Sequence, residues 1–218
     1  MYVISDVHAC CCTLLKLLKR LPRESHKCFV GDLIDRGKNS FETVALVQAM
    51  CERGEASCVM GNHDEFMVEL DWGANLWGMN GGGSTWASYE KQSTDKFHQH
   101  REWMEKLPTY LEFKDVICPG NRYLVVSHSY IFGAWKDRDN DEGKHDILWG
   151  RHFQGRFDKP LIYNVIGHTP QEEFLFREWG AMIDMGCVYS KGDKYSVLTA
   201  LNPETGSRIQ EFRDRRDL

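Results

Sequence analysis

Nowhere in the 218 residues does an apolar run approach the roughly 20 positions that a membrane-spanning helix needs. The opening segment Met1-Tyr2-Val3-Ile4-Ser5-Asp6 has neither a basic start nor the apolar stretch of a secretion signal. A cytoplasmic protein with no membrane partner is therefore expected. There is no excess of positive charge either: 27 Lys and Arg against 32 Asp and Glu leave a net charge of -5, which argues against a stable grip on nucleic acid. The eight cysteines contain no C-x-x-C pair. Cys10, Cys11 and Cys12 run together, and Cys28, Cys51, Cys58, Cys118 and Cys187 are scattered. This argues against a structural zinc site, and reduced thiols, most of them in the core, are expected. Internal repeats and low-complexity linkers are also missing, so residues 1–218 read as one domain, with monomer as the default.

What is present is an alternation of short apolar segments and helical patterns. Tyr2 to Ser5, Lys27 to Val30 and Ala56 to Met60 read as strands. Between them lie two helical faces, one of Leu14, Leu15, Leu17, Leu18 and Leu21 stopping at Pro22, the other of Phe41, Val44, Ala45, Val47 and Met50 ending near Gly54. This β-α-β-α-β opening predicts a largely parallel sheet. Asn80-Gly81-Gly82-Gly83-Ser84 breaks the pattern inside a helical insert of about residues 65–108. Beyond Tyr110 strands dominate: Tyr110 to Phe113, Tyr123 to Ser127, Leu161 to Ile166, Ala181 to Ile183, Tyr195 to Leu201 and Arg208 to Phe212. The mixed-charge run from Lys136 to Glu142 reads as a solvated loop. The expected fold class is mixed α/β, a sandwich of two mixed sheets with helices outside.

Five short runs place metal-binding or phosphate-binding side chains at the ends of apolar segments: Asp6-Val7-His8, the stretch from Gly31 to Gly37, Gly61-Asn62-His63-Asp64, Ser127-His128 and Gly167-His168. Asp6 and His8, two apart in extended backbone, leave on one side and can share a cation. Asp32 ends the next strand, and its two oxygens can bridge two ions. Asn62 offers an amide oxygen, and His128 and His168 offer imidazole nitrogens. Carboxylate, amide and imidazole together suit manganese, iron or zinc better than calcium. Singly, each has an ordinary explanation as a core histidine or a helix cap. Jointly they predict a two-metal hydrolase at the strand ends of an open sheet, attacking phosphorus with a bridging hydroxide. His63, beside Asn62, is the predicted general acid. Asp35 can hold its ring in the productive tautomer; Asp64 competes for that role and equally suits capping of the following helix. Arg36 can clamp phosphate oxygens bidentately. A second cation is Arg151, which these residues alone do not separate from Arg138 or Arg156.

Asp6-x-His8, Gly31-Asp32-x-x-Asp35-Arg36-Gly37, Gly61-Asn62-His63-Asp64, His128 and Gly167-His168 resemble the metallophosphoesterase signature. The fuller resemblance is to the phosphoprotein phosphatase family, in its small bacterial and bacteriophage-lambda-type branch, which Asn80-Gly81-Gly82-Gly83 and Leu148-Trp149-Gly150-Arg151 also resemble. The resemblance implies a calcineurin-like αββα sandwich. It implies Asp6, His8 and Asp32 on a first metal and Asp32, Asn62, His128 and His168 on a second. His63 becomes the acid, Asp35 its partner, and Arg36 and Arg151 the phosphate clamps. Ser5 and Ala9 depart from the usual Gly-Asp-x-His-Gly motif, and Ala9 adds a methyl where glycine turns freely.

The leading expectation is a manganese-dependent phosphomonoesterase acting on phosphoserine and phosphothreonine in proteins or peptides, with phosphotyrosine as a further substrate. The alternative is a symmetrical diadenosine tetraphosphate hydrolase releasing two ADP. For that role Trp72, Trp77, Trp86 and Trp103 offer stacking surfaces, although a hydrophobic core for the insert accounts for them more simply. A binding module without turnover is disfavoured by the complete ligand set and by His63.

Overall fold

A computed structural model describes residues 1–70, 76–131, 135–151, 161–189 and 196–218. Strand β1 (Tyr2–Ile4) leads into helix α1 (Cys11–Arg20), β2 (Lys27–Phe29), α2 (Ser40–Glu52) and β3 (Ala56–Cys58). These strands pair in parallel, as the alternation predicts. β9 (Val197–Leu201) and β10 (Arg208–Phe212) extend this sheet antiparallel beyond β1, giving the order β10-β9-β1-β2-β3. The second sheet runs β4-β5-β6-β8-β7, from β4 (Tyr110–Cys118), β5 (Arg122–Ser127), β6 (Ile162–Ile166), β7 (Leu175–Arg177) and β8 (Gly180–Met182). Within it β5, β6 and β8 are parallel.

The three-residue strands β1, β2 and β3 succeed because the sheet is covered on both faces, so alternate side chains feed two cores. Val3, Cys28 and Val59 pack against Leu124, Val126, Val165 and Ala181 between the sheets. Ile4 and Phe29 turn the other way, onto Leu14 and Leu17 of α1 and Val44 and Val47 of α2. Val125 and Ile162 face out from the second sheet onto Ile147, in α6 (Asp141–Trp149). Helices, sheet, sheet and helix make the four layers of the expected sandwich.

The insert breaks its helical pattern within the glycine run, as the sequence predicts. After α3 (Asn62–Val68), helical backbone on either side of a kink at Gly81 leads into α4 (Gly83–Tyr89) and then α5 (Thr94–Met104). Gly81 takes a φ of 105°, and a Cβ there would lie 2.8 Å from Arg36 Cγ. The run interrupts helical geometry at the one residue where its backbone must reach Arg36. The charge run after Lys136 is no simple loop. Asn140 accepts from the Gly143 N–H and caps α6, whose first turn carries Asp141 and Glu142. All eight cysteines are free, and six are buried. Trp72, Arg156 and Tyr195 lie outside the described residues. No described helix is long and apolar enough to cross a membrane.

Candidate metal centre

The carboxyl ends of β1, β2, β3, β5 and β6 open at one end of the sandwich, and the turns that follow carry the predicted ligands. The turns cross-link one another. The Val7 and His8 N–H groups donate to the Asp32 carbonyl, and the His168 N–H donates to Asp6 Oδ2 at 2.9 Å. Six residues here hold positive φ without being glycine: His8, Ala9, Asp32, Asp35, Arg36 and His168. Such backbone costs about 1–3 kcal/mol per residue and gathers where side chains must be aimed. Ala9 thus keeps the left-handed turn that a glycine would make, at φ 58°. Gly167 serves by close approach, since a Cβ there would lie 1.8 Å from Asp6 Oδ1.

Asp32 divides its oxygens. Oδ2 lies 3.4 Å from His8 Nε2, and Oδ1 lies 3.4 Å from His128 Nε2. Two groups with donor atoms within 4.8 Å of one another therefore share it, one with His8 and His63, the other with Asp6 and His128. Asn62 Oδ1 is 2.9 Å from both His128 Nε2 and His168 Nδ1, which completes a second cluster. The ring hydrogens are settled by main-chain acceptors. His8 Nδ1 donates to Ile34 O and His128 Nδ1 to Val30 O, leaving each Nε2 lone pair aimed inward.

The electrostatics fit a cationic occupant. Burial, then Asp184 and Asp32, push the Asp6 carboxyl well above its ordinary range. Burial chiefly lifts Asp184 to about 7, against the pull of the Gly186 N–H. Burial also lifts Asp32, but His128, His63, His8 and His168 around it prevail and hold it low. Burial and then Arg36 keep His8 low, burial keeps His128 low, and burial with His128 presses His168 down to about 3. Neutral imidazoles beside crowded carboxylates are what divalent ions need. Arg36 Nη1, 2.5 Å from His8 Nε2, already sets a cation against one of these lone pairs.

The remaining predicted residues fall into roles. His63 Nδ1 is 2.6 Å from Asp35 Oδ2, while its Nε2 faces Arg36 Nη2 at 2.8 Å. Asp35 is held in turn by Trp77 Nε1 at 2.9 Å and Thr85 Oγ1 at 2.6 Å, both from the insert. Trp77 is therefore more than insert core. Asp64 takes the other option open to it, accepting from the Gly61 and Leu33 N–H groups and fixing the start of α3. Arg151 is exposed just after α6, and its charge acts on His128, His168 and Asp184. Arg138 is committed elsewhere, over the Trp135 ring and donating to Trp135 O. Asp184 was missed: it follows β8 as the predicted residues follow their strands, and its charge acts on Asp6. The strand-end rule applied to Ala181–Ile183 would have found it.

Metal removal should register in stability. Asp6 and Asp184 bind protons more readily folded than unfolded. Their contribution to metal-free stability is therefore full in acid and is lost as pH rises, for Asp184 through about 7. The buried histidines act in the opposite sense, but only below about 6.5. With manganese at about 100 times its dissociation constant, chelation at pH 8 is expected to lower Tm by about 5–10 °C. The gap should narrow at pH 6.5, where protons compete for the carboxylates. Equal melting curves with and without chelator would remove the ions from this cluster.

The chain matches the family described as calcineurin-like phosphoesterase over residues 1–203. Over 94% of its length it is 27% identical to the asymmetrical bis(5'-nucleosyl)-tetraphosphatase PrpE of Anoxybacillus flavithermus, covering 92% of that protein. A crystal structure of a candidate diadenosine tetraphosphatase superposes with a TM-score of 0.69 at 20% identity, over 98% of this chain and 93% of that one. A protein serine/threonine phosphatase of Saccharomyces cerevisiae superposes with a TM-score of 0.66 at 15% identity, over 98% and 79%. At these identities the superpositions speak for the fold alone.

Proposed function

The chain belongs to the calcineurin-like phosphoesterases, and from that premise we propose that it cleaves the phosphoanhydride bridge of dinucleoside tetraphosphates, with manganese as the working metal. The observation that carries this is the near full-length match to a relative named for that activity, at 94% of one chain and 92% of the other. The same relative supports asymmetrical cleavage, which releases a nucleoside triphosphate and a monophosphate. This reverses the order suggested by the motifs alone, where phosphoprotein hydrolysis led and symmetrical cleavage was the alternative. The physical reason is that ligands, acid and clamps act on a phosphoryl group whatever is attached to it, so they do not encode the rest of the substrate.

Asp6, His8 and Asp32 would hold one ion, and Asp32, Asn62, His128 and His168 the other. Such a pair supplies Lewis acidity toward the phosphoryl oxygens and the attacking water. Arg36 and Arg151 bind phosphate oxygens. A phosphate held by Arg36 brings its departing oxygen within reach of His63 Nε2, 2.8 Å from Arg36 Nη2. The proton passes from that nitrogen to the leaving phosphate, while Asp35 keeps hold of Nδ1.

The test is a product analysis with manganese, presenting diadenosine tetraphosphate, a phosphoserine peptide and an aryl phosphate to the same enzyme. ATP and AMP in equal amounts, at a rate well above phosphopeptide hydrolysis, are expected. Two ADP would correct the position of cleavage, and a faster phosphopeptide would restore the phosphomonoesterase reading.

A further inference from the structure

The strained turns bearing His8 and Arg36 are tied together by a side chain far away in sequence. We infer that Asp217 is a positioning residue for the metal centre, clamping the two motifs that carry Asp6–His8 and Asp32–Arg36. Its carboxylate is fully buried. Oδ1 accepts from the Cys12 N–H and from Asn39 Nδ2, each at 2.9 Å. Oδ2 accepts from the Thr13 N–H at 2.9 Å and the Thr13 hydroxyl at 2.5 Å. The Asp217 carbonyl takes the Lys38 N–H at 3.0 Å.

One carboxylate therefore serves two neighbours of the centre. On one side it caps α1, whose own N-cap residue, Cys10, makes no side-chain capping bond and whose first turn carries no acid. On the other side it holds the chain where it leaves Arg36. The Asn39 N–H closes the loop by donating to the Ala9 carbonyl at 3.2 Å. Left-handed turns at His8, Ala9, Asp35 and Arg36 persist only where their surroundings over-determine them, and this knot supplies part of that constraint. Asp217 belongs to the 3₁₀ turn Arg215–Asp217, beyond the residues 1–203 that the family match covers. The inference concerns the ions and holds whichever phosphate compound is cleaved.

The alternative is that Asp217 is a helix cap and nothing more. Direct manganese binding to the full chain, read from free manganese by electron paramagnetic resonance, separates the two. Asp217→Ala should weaken at least one of the two ions about 10-fold, the scale on which outer partners of metal ligands act. Its metal-free Tm should fall by about 2–4 °C. Asn39→Ala, which leaves the α1 cap in place and cuts only the arm to the Arg36 turn, should weaken binding about 3-fold with Tm little changed. A lower Tm with manganese affinity within about twofold of wild type would overturn the proposal. So would a wild-type chain that binds no manganese. Should the alanine at Asp217 prevent folding, Asn39→Ala decides by the same criterion.

Discussion

Asp32→Asn is expected to empty or scramble the metal pair and to lower turnover about 10³–10⁵-fold, the equivalent of the several kcal/mol that two ions contribute to phosphoryl transfer. Asp32 is the one side chain that belongs to both groups of converging donors, one oxygen toward His8 and the other toward His128. Asparagine is nearly isosteric and can still accept the His63 N–H that Asp32 Oδ1 now takes. The fold around it should therefore survive. What is lost is the negative charge that four imidazoles surround and that each ion needs. The measurement is metal content after dialysis alongside steady-state turnover. Two manganese ions per chain together with near-normal turnover would show that Asp32 does not bridge them.

His63→Asn should behave in the opposite way, leaving metal content intact while turnover falls roughly 10²–10⁴-fold, the usual span for a lost general acid. The substrate sets where in that span the result falls. A nucleotide leaves as a phosphate whose own second ionisation is near 6, and so it needs little help from a proton. A serine alkoxide is far more basic and needs a great deal. The loss should thus approach ~10² on diadenosine tetraphosphate and ~10⁴ on a phosphoserine peptide. Asp35 remains satisfied in the variant by Trp77 and Thr85, so melting should shift little. Equal losses on both substrates would mean that the ring assists binding and does not protonate the leaving group.

Much of this cluster was legible because its candidate ligands obey a local rule. Asp6, Asp32, Asn62, His128 and His168 each follow an apolar segment that becomes a strand, and strand ends on one side of parallel sheets converge. Asp184 obeys the same rule and was passed over because a single aspartate after a short strand carries no surrounding motif. The sequence put Asp35 beside His63 but left Asp64 as a competitor. The choice depends on the left-handed backbone at Asp35, which turns its carboxylate onto His63 and the insert. The break at the insert's glycines was legible, but its cause was not: the chain kinks at Gly81, against Arg36.

The order of residues along the chain determined the layered sandwich, which side chains stand at its converging strand ends and the family, since strand periodicity, helix stops and motif spacing are all local. Tertiary structure alone decided that the two oxygens of Asp32 face different imidazoles, that Trp77 and Thr85 grip Asp35, and that Asp217 closes a knot with Cys12, Thr13 and Asn39. These contacts join positions distant in the chain, and no periodicity marks them. They are selected by which buried donors would otherwise be left without an acceptor, and that is known only once the layers have packed.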